Sequence, residues 1–134
     1  MPGMAAAHAA NVVDASLGTA SFVATTGPIR CRLMTANGSA TAAGTELSTS
    51  AGYTAGTGAP TVTFAAANTT TATAASNTAV TVTNMPASTV VGVELWDSAG
   101  TPVRKWWGAL TASKTLNAGD TFSIASGSLT AQNL

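Results

Sequence analysis

For most of this chain, apolar and polar side chains alternate, and turn residues interrupt the alternation at short intervals. Ile29, Cys31 and Leu33 alternate with Arg30, Arg32 and Met34, a period of two that gives a strand one apolar face. Thr61–Phe64 and Thr78–Thr83 alternate likewise, with β-branched residues that suit a half-buried pleated surface. Val91, Val93 and Leu95 share one face of a further strand, and Glu94 and Trp96 share the other. Val103 to Leu110 and Thr121 to Ser126 complete the set. Turn chemistry falls between them at Asn37-Gly38, Gly56 to Pro60, Asn84 to Pro86, Ser98 to Pro102 and Asn117 to Asp120. The pattern predicts an all-β fold, a single antiparallel β-sandwich or jelly-roll-like domain over residues 21–134.

Before that domain, residues 1–20 read as a short helix or an assembly arm. Met4 to Leu17 is rich in Ala and ends before Gly18, which fits a helix and its stop. His8 and Val12 stand four apart, as do Val13 and Leu17, so a short amphipathic helix is expected, docked on the sheet or on a neighbouring subunit. Two stretches, Ala40 to Gly58 and Ala65 to Asn77, carry few large side chains. They are either long surface loops or strands of small residues, with Tyr53 and Phe64 as anchors. Trp106 to Leu129 reads as two strands around the turn at Asn117–Asp120.

Composition narrows the choice of function. The 134 residues include 29 Ala and 24 Thr, and only 7% are charged, against about 25% in ordinary globular chains. Five basic and five acidic residues cancel, so no electrostatic footprint for nucleic acid or an anionic membrane is expected. No stretch approaches the roughly 20 apolar residues of a membrane span, and the N-terminus lacks the basic and apolar regions of a secretory signal. The length suffices for a core without metal or disulfide, and the single Cys31 has no intrachain partner.

Catalytic chemistry is sparse. One His and one Cys do not assemble a zinc site, and no metal or cofactor is expected. His8 is expected to be solvated or capping. Cys31 lies between two arginines, which would lower its pKa if it were exposed, but it shares the apolar face of Ile29 and Leu33 and reads better as a small buried hydrophobe. The carboxylates are scattered; Asp97 and Asp120 lie in turns, where side-chain bonds to the backbone explain them. No phosphate-binding glycine loop is present. The aromatics say more. Adjacent residues of a strand face opposite ways, so one of Trp106 and Trp107 must look outward or into a contact. With Arg104 and Lys105 as a polar rim, and Trp96 and Tyr53 nearby, these six form the candidate interface. Stacking of an exposed Trp on a sugar ring is the alternative use.

The run Gly108–Thr130 (GALTASKTLNAGDTFSIASGSLT) resembles the C-terminal end of small virion structural proteins from tailed phages of actinobacteria, labelled tail fibre, minor tail or head-decoration protein. Val91–Gly100 is similar to that family's preceding strand and turn, and Ile29–Met34 to its first strand. Ala51-Gly52-Tyr53 is similar to its central GGY element, with Ala in place of the first Gly. The resemblance is densest after Val90 and only compositional between Ala55 and Ala87. It implies a non-enzymatic virion protein, assembled in the host cytoplasm. Its partners would be itself, as a trimer or dimer, and other virion proteins, the major capsid protein foremost. A short chain without coiled-coil or collagen repeats favours a compact capsid accessory, of the decoration or minor capsid type. A tail-associated module contributing to host recognition is the alternative.

Overall fold

The longest alternating runs build the centre of the fold. In the computed structural model, which describes residues 3–133, β7 (Ser88–Trp96) and β8 (Arg104–Leu116) pair antiparallel, and β2 (Ile29–Ala36) pairs with the other side of β7. Around this trio lie β1 (Gly3–Met4) on β8, and β3 (Thr45–Glu46) and β4 (Thr61–Val62) on successive parts of β2. The sheet order is β1-β8-β7-β2-β3, with β4 also on β2. Two ribbons complete the molecule, β5 (Thr73–Ala75) with β10 (Thr130–Gln132), and β6 (Val80–Val82) with β9 (Phe122–Ile124). Every pairing is antiparallel. The fold is thus all-β, with one α-helix among the described residues, α1 (Ala6–Ser16), and a single 3-10 turn at Gly56–Gly58.

The core forms between the main sheet and the β6–β9 ribbon. Cys31, Leu33, Val93 and Leu95 meet Val80, Val82 and Phe122, and Met85 and Leu129 are buried in the same cluster. Burial raises the Cys31 thiol to about 12, so it packs as a small hydrophobe rather than serving as a nucleophile. Tyr53 is buried too. Its hydroxyl donates to Glu46 Oε1 at 2.8 Å and accepts the Leu33 N–H at 3.1 Å, fixing the small-residue loop after β3 to the middle of β2.

Several elements differ from what the alternation predicts. Val90, not Val91, joins Val93 and Leu95 in the core. Register places Val90 opposite Lys114 and Gly92 opposite Ala109, so Leu110–Ser113 bulge against Val91 alone and re-phase the strand. Gly92 tolerates no side chain, because a Cβ there would run into the Asn37 amide and the Gly108 carbonyl. The turn at Asn117–Asp120 does not join paired strands. β8 pairs with β7 and β9 with β6, so this turn carries the chain from one layer to the other. Met85 holds it there, donating its N–H to Asp120 O and accepting that of Gly119.

The N-terminal region also departs from expectation; the first two residues of the expected arm lie outside the described residues. Gly3–Met4 is a strand on β8 rather than the beginning of a helix. The face of α1 turned inward carries His8, which is buried instead of solvated or capping, while Val13 and Leu17 stay exposed. After α1, strand structure begins at Ile29; Phe22 and Val23 lie before it, exposed. The two thin stretches contain both loops and the short strands β3 and β5. Among the described residues no helix is long and apolar enough to cross a membrane.

Replacing Tyr53 by Phe removes the hydroxyl that accepts the Leu33 N–H. A buried donor left without its partner costs about 1–3 kcal/mol. Urea unfolding of Tyr53→Phe should show a loss of that size with an unchanged denaturant slope.

Candidate assembly surface

The β7–β8 hairpin positions the tryptophans. Trp106 pairs with Leu95 and Trp107 with Glu94, so the two rings occupy opposite faces of the sheet. Trp106 is half-buried and packs on the core cluster. Trp107 is half-buried on the other face, where β1 crosses it at Gly3. Its indole N–H has no hydrogen-bond partner among the described residues. Trp96 shares that face with Glu94 and donates its indole N–H to Glu94 Oε2 at 3.0 Å.

Glu94 is fully buried in the middle of this face. Its Oε1 accepts Arg104 Nη1 at 3.0 Å and the Gly44 N–H at 2.8 Å. A carboxylate taken out of water is tolerable only when its oxygens are satisfied in this way. Arg104 reaches on to the carbonyls of Ala42 at 2.8 Å and Ala40 at 3.1 Å. Gly38 lets the 37–44 loop come this close, since a Cβ there would lie 2.5 Å from Glu94 Oε1. On the outer side the Arg32 guanidinium sits 4.1 Å from the centre of the Trp96 ring, within cation–π range, and pairs with Glu46 at 3.5 Å.

A bulge between Leu95 and Trp96 leaves Lys105 without an opposite residue. The adjacent Lys105 and Trp106 consequently line one cleft of about 410 Å³, together with His8, Ile29, Phe64 and Leu95. Lys105 is buried and pairs with Asp97 at 3.3 Å. Burial alone would push Asp97 up, but the N–H groups of Val103 and Ala99 and the Lys105 ammonium outweigh it and hold the carboxyl below its ordinary value. His8 is lowered by burial and by Lys105, against a smaller opposing effect of Asp97, so it is neutral at pH 7.

Of the six candidate interface residues, the structure gathers Trp96, Arg104, Lys105, Trp106 and Trp107 around one hairpin and sets Tyr53 apart in the core. Arg104 and Lys105 are buried ion-paired groups inside the monomer, so they do not form a solvated rim. Tyr53 has no face to offer a partner because its ring fills the core. Sequence reasoning missed Glu94 as the centre of the outer face, and it named the cleft liners Lys105 and Trp106 without His8, Ile29 and Leu95 beside them. A lone charge within the apolar run Val90–Trp96 was the available signal that a buried partner must exist. Among the described residues no group of three or more potential metal ligands comes together.

Glu94→Ala leaves Arg104 charged, buried and unpaired; breaking such a pair from one side costs about 3–5 kcal/mol, to be read by chemical unfolding. Because Asp97 is held below 3.8 in the fold, the unfolded chain takes up the proton first as pH falls. The stability difference between wild type and Asp97→Asn should therefore be constant well above pH 3.8 and shrink as pH drops through the folded value.

A search among curated proteins finds no match. Over residues 3–132 the chain matches the family model described as podophage GP4 fiber I protein gp80, and it belongs to that family of phage virion structural proteins.

Proposed function

We propose that this protein is a non-enzymatic, tail-associated fibre module of a phage particle. It works by burying weakly charged β-rich surface against copies of itself and neighbouring virion proteins, and it contributes to the fibre through which the host is met. The family match, which spans nearly the whole chain, carries this reading. It supports a fibre placement over the capsid-accessory placement that chain length suggests, and with it the major capsid protein loses its place as the expected partner. Assembly in the host cytoplasm and residence in the virion follow from the same reading.

The distribution of charge supports the mechanism. Three of the few ionic pairs the chain can make are internal, Arg32–Glu46, Arg104–Glu94 and Lys105–Asp97. What is left on the surface is mostly Ala, Thr, Ser and Gly, which can be covered with little desolvation of charge. The titratable groups that line the 410 Å³ cleft are His8 and Lys105, and Lys105 is already paired with Asp97.

Quantitative mass spectrometry of purified particles, scaled to the major capsid protein, tests the placement. A few copies per particle are expected. A ratio matching the shell's capsomers would return the protein to the capsid, and absence from particles would overturn the virion reading.

A further inference from the structure

Residues 3–16 are held to the rest of the molecule by few contacts. β1 adds two residues to the outer edge of β8, Gly3 opposite Trp107 and Met4 opposite Trp106. The Ala5 and Ala6 N–H groups then bond to Lys105 O at 2.9 Å and to Ala40 O at 2.7 Å. The remainder is α1, and the one buried residue of α1 is His8. A helix of this length is marginal without packing. Its N-cap, Ala5, makes no side-chain bond, and its first turn holds no acid. Docking of the helix therefore depends heavily on one imidazole.

The surroundings of that imidazole suit the neutral ring and oppose the cation. His8 Nδ1 is buried without a hydrogen-bond partner among the described residues, so a proton there meets no acceptor, and a charge without partners is costly to bury. His8 also lies in the first turn of α1, where the positive end of the helix dipole disfavours a cation. Two charged groups face it. Lys105 of β8 repels the imidazolium, and Asp97, at the start of the turn after β7, attracts it more weakly, being paired with Lys105 at 3.3 Å. The liners that the other strands and loops bring to the cleft beside His8 are uncharged. On α1 itself, Asp14 is exposed and accepts a bond from the Thr19 hydroxyl.

We propose that residues 3–16 are an acid-released strap: when His8 takes up a proton, β1 and α1 leave the β8 edge while the sheets stay folded. Burial first, and then Lys105, hold docked His8 below its ordinary 6.5, against the smaller effect of Asp97. A freed strap takes up the proton near 6.5 and the docked one only at lower pH. Docking is therefore at full strength above 6.5, weakens as pH falls from there to the docked value, and changes no further below it. Asp97 is held below 3.8, so it stays ionised in mild acid and leaves the change to His8. Release strips β8 of its outer partner at Trp106 and Trp107 and removes the His8 wall of the cleft. The device does not depend on the fibre placement.

His8 is the only histidine in the chain, so NMR of the untagged full chain reads its ring without overlap. The ring resonances and the amide signals of residues 3–16 are followed together from pH 7.5 to 4.5. Both should change with one shared midpoint below 6.5. Hydrogen-exchange protection of α1, corrected for the intrinsic effect of pH, should fall roughly 5-fold or more, the lower end of ordinary coupling between linked events. The amides of β7 should keep their protection throughout. His8→Leu, which fills the site and cannot ionise, should keep the strap docked at pH 4.5. The proposal is overturned by a ring that titrates while the strap amides stay put, or by a strap lost at a midpoint different from the ring's. It is overturned equally if His8→Leu loses the strap in acid as wild type does, or if β7 loses protection together with α1.

Discussion

The carboxylate of Glu94 is the constraint on which the outer face of this protein depends. It is buried in the central strand β7, where an unsatisfied charge would be untenable. Arg104, the Gly44 N–H and the Trp96 indole satisfy it. Each of these partners then holds something else. Arg104 holds the carbonyls of Ala40 and Ala42, and Ala40 O in turn accepts the Ala6 N–H at the start of α1. Trp96 carries the Arg32 guanidinium, which reaches Glu46, and Glu46 holds the Tyr53 hydroxyl and the Gly56 N–H. One buried acid therefore links the β3 edge of the main sheet to the N-terminal helix. Such a network contributes less to net stability than its bond count suggests, because every charge in it was desolvated. Other registers and loop placements would leave one of its charges unpaired.

The same network explains why so little charge remains outside. With Glu94, Asp97, Arg104 and Lys105 committed to the interior, the exterior is left mostly to small, neutral side chains, with few charges such as Asp14, Lys114 and Asp120 among them. That surface has few groups to discourage contact with other proteins, and the apolar stretch from Val13 to Val23 sharpens the tendency. These features suit a component that works inside an assembly, as membership of a phage fibre family implies.

Bulges do much of the shaping. The irregularity near Lys105 lets Lys105 and Trp106 line one cleft despite being neighbours in sequence, and the larger one at Leu110–Ser113 moves Val90 into the core in place of Val91. Each inserts residues into one strand only, so side chains beyond it change phase. Nothing in the alternation of Val90–Leu95 or Val103–Leu110 announces this, because a bulge depends on which strand lies opposite and in what register.

The sequence by itself determined the β class, the central strands and most of the turns. Those follow from local chemistry: alternation at Ile29–Met34 and Val93–Trp96, β-branched runs, and Asn, Gly, Asp and Pro between them. It also determined that Cys31 faces inward and that Trp106 and Trp107 face apart, since both follow from a period of two. Only the tertiary structure decided which strands pair. The Asn117–Asp120 turn looked like a hairpin, yet it moves the chain between layers because β9 finds its partner in β6. Only the tertiary structure gave Arg104 and Lys105 their buried partners, since their acids lie on another strand and in the following turn. His8 went inward on the same grounds. Its burial depends on β1 pairing with β8, a contact between residues about a hundred positions apart that no local pattern records.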